Sequence, residues 1–221
     1  MTTYIIMQNR VADELMRDDL ATQIQKAINS AITTWEGIRL GFNEKRYLIN
    51  TVADQEYYDA VTPTLLESDA TAVETGETVL ELDSITATVN NMQYPLTPRT
   101  QAWFDRNTAP ASVYTGQPDS YTWFANQLRL YPIPDNVYPL KLSALARLGP
   151  NPLSADNDTN LWMTEGEALI RQQSKLVIYR DIVRDPDGRA AAAEGVSEAQ
   201  WNLERKMAGK LYTGTQRPWS L

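Results

Sequence analysis

The chain has 221 residues, 43% apolar and 22% charged, which suits one domain or a core with one sizeable insertion and excludes disorder throughout. It contains no cysteine and no histidine, which excludes disulfides, thiol nucleophiles, thiolate metal sites and imidazole bases or ligands. The net charge of −8, from 28 acidic against 20 basic residues with no Lys or Arg stripe, makes a tight grip on nucleic acid a poor expectation.

The start, MTTYIIMQNR, lacks a basic n-region and a real h-region. No apolar run approaches the roughly 18 residues that span a bilayer. The expectation is a chain made and assembled in the cytosol, with no membrane partner. After Arg10, Val11 and Leu15 stand four apart, and Leu20, Ile24, Ala27, Ile28, Ala31 and Trp35 continue at three- and four-residue steps. That draws a stripe along one helical face. Asp18 and Asp19 interrupt it and read as N-cap or first-turn residues of a second, longer helix. EGIRLGFNE, with Gly37 and Gly41, should end that helix.

From about residue 45 the texture becomes β-rich. RYLINTVADQEYYDA and TVLELDSITATVNNMQYPL are rich in Thr, Val, Ile, Leu and Tyr, with Gly76 and Asn90-Asn91 as punctuation. They predict antiparallel strands. Thr97 and Pro98 read as the cap and first turn of a short helix over RTQAWFDRN. YTWFA and LRLYP alternate around Asn126-Gln127, which predicts a hairpin. Pro132, Pro134 and Pro139 would end strands or sit at their edges. YPLKLSALARL follows as a strand alternating over Leu140, Leu142 and Ala144.

LGPNPLSADNDTN is a loop by composition. TEGEALIRQQSKLVIYRDIV then repeats Leu169, Leu176 and Val183 at seven-residue steps, with Ile170 and Val177 alongside, as a helix face should. DPDG predicts a turn, and RAAAAEGVSEAQWNLERKMAGKLY a long helix with Leu203, Met207 and Leu211 on one side. The tail TGTQRPWSL has little pattern. The expected fold is α+β: a helical core from the N- and C-terminal helices, a central antiparallel β-rich insertion, and an extended C-terminal tail. The expected divisions are residues 1–44, 45–148, 149–211 and 212–221.

Asp156, Asp158, Asn160 and Glu167 have the oxygen-ligand spacings of a calcium loop. Leu161 stands where that turn demands Gly, and GPNP makes no entering helix. The favoured reading is a capping box, Thr164 with Glu167, opening the next helix. Glu36 and Glu44 are nameable as a glycosidase pair, yet among 28 acids some pair always looks suitable. No phosphate-binding glycine loop and no serine elbow occurs. No catalytic residue, cofactor or metal is therefore assigned.

Trp35, Trp103, Trp123, Phe124 and Tyr131 read first as packing residues. At the end of the chain, Arg217, Pro218 and Trp219 put an indole and a guanidinium on a segment too polar to fold alone. It reads either as a disordered terminus or as a segment that a partner surface orders.

NRVADELMRDDLATQIQKAINSAITTWEGIRLGFNE, GQPDSYTWFANQLRLYPIPD with YPLKLSALARL, and LWMTEGEALIRQQSKLVIY together resemble the head-to-tail adaptor (connector) proteins of tailed bacteriophages. The resemblance spans roughly residues 7 to 185, and its clearest parts are the R-V-A-D-E-L start, G-Q-P-D-S-Y, and L-R-L-Y-P-I-P-D. Gly37 and Gly41 depart from the larger residues expected there. The resemblance implies a structural virion protein of the neck and no enzyme. It implies a ring of identical subunits, usually twelve, docked beneath the portal protein and presenting a downstream tail or stopper protein below. DNA would pass through its channel without specific binding. Arg217, Pro218 and Trp219 match the portal-docking segment by position, and Tyr121, Trp123, Arg129 and Tyr131 would then serve a tail-side or inter-subunit contact. The alternatives are a tail-associated peptidoglycan-degrading glycosidase and a stopper or terminator ring lower in the neck.

Overall fold

A computed structural model of the chain describes residues 2–59, 65–66, 76–107 and 114–211. In chain order these form α1 (Tyr4–Leu15), α2 (Ala21–Trp35), β1 (Glu44–Asn50), β2 (Tyr57–Asp59), β3 (Leu65–Leu66), β4 (Thr78–Val89), β5 (Met92–Pro95) and β6 (Thr97–Pro98). There follow α3 (Gln101–Asn107), β7 (Thr115–Gly116), β8 (Ser120–Phe124), β9 (Gln127–Tyr131), β10 (Ile133–Pro134) and β11 (Pro139–Arg147). The rest are α4 (Leu161–Thr164), α5 (Glu167–Ile178), a π-turn at Tyr179–Val183, and α6 (Pro186–Leu211). The fold is α+β, in two units: Met1–Asn43 with Pro150–Leu221, and Glu44–Gly149.

In the helical unit, Tyr4, Met7 and Val11 of α1 are buried with the α2 stripe Ile24, Ala27, Ile28, Ala31, Ile32 and Trp35. Three- and four-residue spacing puts each set on one side of its helix. An ion-pair ladder fastens α1 alongside α5: Glu167 takes Arg10 at 2.9 Å, and Glu14 takes Arg171 at 3.0 Å and Lys175 at 2.6 Å. The rising numbers on both helices make the two parallel. α5 packs against α2 and against α6. On α6, seven residues apart, Gly188 packs against the ring of Tyr179 in the π-turn, where a Cβ would meet it at 2.5 Å, and Gly195 packs against the end of the Gln172 side chain of α5, where a Cβ would meet it at 2.8 Å.

Several local expectations for this unit are corrected. The first helix starts at Tyr4, inside the unassigned leader, because Tyr4 and Met7 extend the stripe of Val11 backwards. α2 is capped by Leu20 with no side-chain bond. Asp19 is instead held by the Arg17 guanidinium at 2.7 and 2.8 Å, which keeps its carboxyl below the usual range. The turn between α1 and α2 is made by Met16 in the left-handed conformation, φ 52°. α2 does end at Trp35, and the loop beyond is closed by buried Asn43, which accepts from the Leu40 amide and donates to the Ile38 carbonyl.

The capping box does not form. Asn160 caps α4 by accepting from the Trp162 and Met163 amides, Gly166 precedes α5 without a side-chain cap, and Thr164 turns back to the Leu161 carbonyl. A Cβ at Gly166 would crowd the Trp162 ring at 3.0 Å and the Trp162 carbonyl oxygen at 3.2 Å. On α5 the buried side runs through Leu169, Ile170, Gln173, Ser174 and Ile178, leaving Leu176 and Val177 half-buried, and the α-helix ends before Val183. DPDG is not a turn. Arg184 (φ 56°) turns the chain, Asp185 accepts from the Asp187 amide, and Pro186 opens α6, where its missing N–H costs nothing. Leu203 and Met207 are buried together as expected, whereas the Leu211 side chain and the tail lie outside the described residues.

In the β unit, one sheet has the order β3-β1-β11-β4-β5 and a second the order β2-β9-β8-β6, with a small β10-β7 pair. β1 pairs antiparallel with β11 from Glu44↔Leu145 to Asn50↔Pro139. Leu140, Leu142 and Ala144 alternate inward as expected, but Leu145 and Ala146 are buried too, because the β11–β4 register shifts at Ser143/Ala144 and Leu145/Ala146. The Asn90-Asn91 turn joins β4 to β5 with φ 50° and 62°, the left-handed pair that a two-residue hairpin needs. Thr97 and Pro98 are not a helix start. They pair parallel with β8, and Thr100 caps α3 by accepting from the Trp103 amide at 3.3 Å. Tyr47, Ile85, Leu128, Leu130, Leu140 and Leu142 fill the core of this unit.

A hairpin plate as the candidate interaction surface

The β8–β9 hairpin is present, with its turn one residue earlier than expected. Ala125 and Asn126 take φ 51° and 60°, and Gln127 opens the return strand opposite Phe124. Cross-strand register sorts its side chains onto two faces, since partners directly opposite share one. Tyr121 with Leu130, and Trp123 with Leu128, face the core. Thr122 with Arg129, and Ser120 with Tyr131, face the other way.

The four hairpin candidates are therefore not one cluster. Tyr121 is 4% exposed, and burial, then the charge of Asp83, raise its phenol above the ordinary value. Trp123 is partly buried against the same core. Arg129 is 7% exposed on the opposite face, where β2 and α3 enclose it. Its Nε donates to Glu56 at 2.6 Å and its second nitrogen to Asp105 at 3.3 Å. The Tyr57 and Phe104 rings lie 5.0 and 5.1 Å from the guanidinium carbon. A cation so placed is balanced by charge and by two ring faces at once.

Tyr131 continues this face as the hub of an aromatic group. It meets Trp103 at 5.5 Å and Phe104 at 6.3 Å edge-on, and Tyr114 at 6.2 Å. Arg99 adds a guanidinium 5.2 Å from the Trp103 ring. Edge-to-face contacts fix ring orientation. The result is a stiff plate: hairpin, β2 and α3 locked by Arg129 and Tyr131. Phe124, Tyr114 and Tyr57 stand exposed at 61%, 60% and 44% around it.

Sequence reasoning missed Glu56, Tyr57 and Asp105 as partners of Arg129 and took Phe124 for a packing residue. The alternation of Ser120 to Phe124 holds the signal for Phe124, because it places that residue off the core face. Glu56 and Asp105 become visible only when β2 and α3 converge from distant parts of the chain.

The remaining candidates are dispersed. Arg217, Pro218 and Trp219 lie outside the described residues. Asp158 accepts from the Ser154 and Ala155 amides at 2.7 Å each, which hold its carboxyl below the usual range. Asn160 and Glu167 are taken by their cap and ion pairs, and among the described residues no cluster of three or more acidic side chains could hold a metal ion. Glu36 is buried at the end of α2 and accepts from Asn151 at 3.4 Å, while Glu44 is exposed at the start of β1. No helix among the described residues is long and apolar enough to cross a membrane.

No curated protein matches the chain. The family model described as SU10 adaptor protein matches residues 2–218. With the match covering nearly its whole length, the chain belongs to the SU10 adaptor protein family, a phage head-to-tail adaptor family, and is a component of the virion neck.

Proposed function

We propose that the chain forms a head-to-tail adaptor ring, with twelve identical copies docking under the portal protein, joining the capsid vertex to the tail, and leaving a channel through which DNA passes without specific binding. The observation that carries this reading is the family match over residues 2–218. The tail with Arg217, Pro218 and Trp219 is the portal-docking segment. The hairpin plate is the tail-side or inter-subunit surface: Trp123 and Tyr131 contribute edges, while buried Tyr121 and Arg129 hold the surface in shape.

The net charge of −8 supports the conduit, because a like-charged wall repels phosphate and does not retain the genome. Proline at Pro132, Pro134 and Pro139 limits wrong pairing of the strands around the plate while neighbours assemble. Assembly takes place in the host cytoplasm, and the chain transforms no substrate.

Electron microscopy of the purified chain mixed with its portal tests the reading. The expected image is a ring of added density at one end of the portal. Deleting residues 212–221 is expected to abolish docking while circular dichroism stays unchanged. Co-purification with a lower neck ring and no density at the portal would make the chain a stopper or terminator instead.

A further inference from the structure

α2 and α6 each pack against α5, so the helical unit presents two different outward faces. α6 is 26 residues long, about 39 Å at 1.5 Å per residue. Its inward side carries Ala192, Val196, Leu203 and Met207. At 100° per residue Trp201 falls about 150° around the helix from the centre of that stripe, and it is 58% exposed. Ser197 and Ala208, on the same outer side, are small and leave the indole standing proud. The Arg205 guanidinium lies 5.3 Å from the indole centre, and Glu194, Glu198 and Glu204 give the surroundings negative charge.

The outward face of α2 has the complementary chemistry. Lys26 is the helix's single charged residue, and Ser30, Thr33 and Thr34 are exposed beside it. Thr33 donates its hydroxyl hydrogen to the Asn29 carbonyl at 3.1 Å, and Thr34 to the Ser30 carbonyl at 2.8 Å. With those hydrogens directed into the helix, the hydroxyl oxygens offer lone pairs outward. An indole N–H and a guanidinium are donors with no acceptor capacity. The two faces thus match as donor to acceptor and as glutamates to the one lysine, and a charge-poor patch meeting a tryptophan-arginine pair is the composition of an interface centre.

We infer that the outer face of α6 around Trp201 seats on the outer face of α2, around Ser30 and Thr33, in a second copy of this chain. The inference rests on the ring reading and names the contact that propagates it. Two different faces give a head-to-tail contact, which can repeat around a ring.

The absence of cysteine makes the test direct. Ser197→Cys, beside Trp201 on the same face and leaving the indole in place, is combined with Ser30→Cys, or with Thr33→Cys, in the full-length chain, and assembled virus particles are oxidised. The expected result is a ladder of cross-linked species running beyond dimers in at least one pair, with no ladder from the single-cysteine chains. Particles with an imaged ring and no ladder from either pair overturn this contact while the ring reading stands. Particles with one copy per vertex sink the ring reading itself. Trp201→Glu is the second variant: folded by circular dichroism, it is expected to fall at least about tenfold in copies per particle, and incorporation at the parental level overturns the inference.

Discussion

The Tyr47 hydroxyl donates a 2.5 Å hydrogen bond to the Glu77 carboxylate, and both residues are buried. Burial first, then the bond to Glu77, then its charge, push the Tyr47 phenol far above its ordinary value. Removing the hydroxyl leaves a buried carboxylate without that donor, so Tyr47→Phe is expected to cost about 1–3 kcal/mol at pH 7, read from urea unfolding. A phenol raised in the folded state contributes stability that is complete below the unfolded value near 10 and is lost as pH rises beyond it. The alkaline decline should therefore be shallower in Tyr47→Phe than in the parent. It should not vanish, because burial also raises Tyr58 and Tyr121.

Arg129 is the lock of the hairpin plate, and it cannot be exchanged for another cation. Lysine keeps the charge but loses the planar fork and the ring contacts. Arg129→Lys is expected to lower stability by about 1–2 kcal/mol, and Arg129→Ala by about 3–5 kcal/mol because Glu56 loses its partner. Asp105 is 60% exposed in its side chain, so Asp105→Asn should stay within about 0.5 kcal/mol. Denaturant midpoints of the three variants check the ranking; equal effects would reject it.

Gly188 and Gly195 of α6 should respond oppositely to alanine. At Gly188 a Cβ meets the Tyr179 ring at 2.5 and 2.7 Å and the Asp185 carboxylate at 2.7 Å. Overpacking there is expected to cost about 1–3 kcal/mol. At Gly195 the obstacle is the end of the Gln172 side chain, which can swing away. Gly195→Ala is then near neutral or gains up to about 1 kcal/mol from helix propensity. Thermal melts of the two single variants decide.

Asp158 should make its loop acid-sensitive. Amide bonds from Ser154 and Ala155 depress its carboxyl. Such a group contributes order that is complete above the unfolded value near 4 and is lost as pH falls through the lower folded value. Hydrogen exchange at the Ser154 and Ala155 amides should therefore show protection that disappears on acidification, and that is missing at every pH in Asp158→Ala. Protection unchanged in Asp158→Ala would refute the role.

The broad outline was legible because periodicity records burial. Ile24, Ala27, Ile28 and Ala31 face inward as their spacing predicts, and Leu140 and Leu142 alternate into the core. Termini and turns were less legible, since several residues in a row can supply the same bond. Thr100 caps α3 where Thr97 was expected, and Ala125-Asn126 turns where Asn126-Gln127 was expected. Asp18 and Asp19 have capping chemistry, but Arg17 lies within reach of Asp19 and engages it first. The hairpin was readable as an element; its division into a core face and an Arg129 face depends on β2 and α3, which approach from outside any local window.

The β unit leaves Asn43 through β1 and comes back to Pro150 through β11, and these two strands are neighbours in one ladder. A segment that closes on itself in this way can be grafted out and another put in its place, provided the newcomer also begins and finishes on paired strands. The helical unit keeps its own stripe, ladder and glycine contacts through such an exchange.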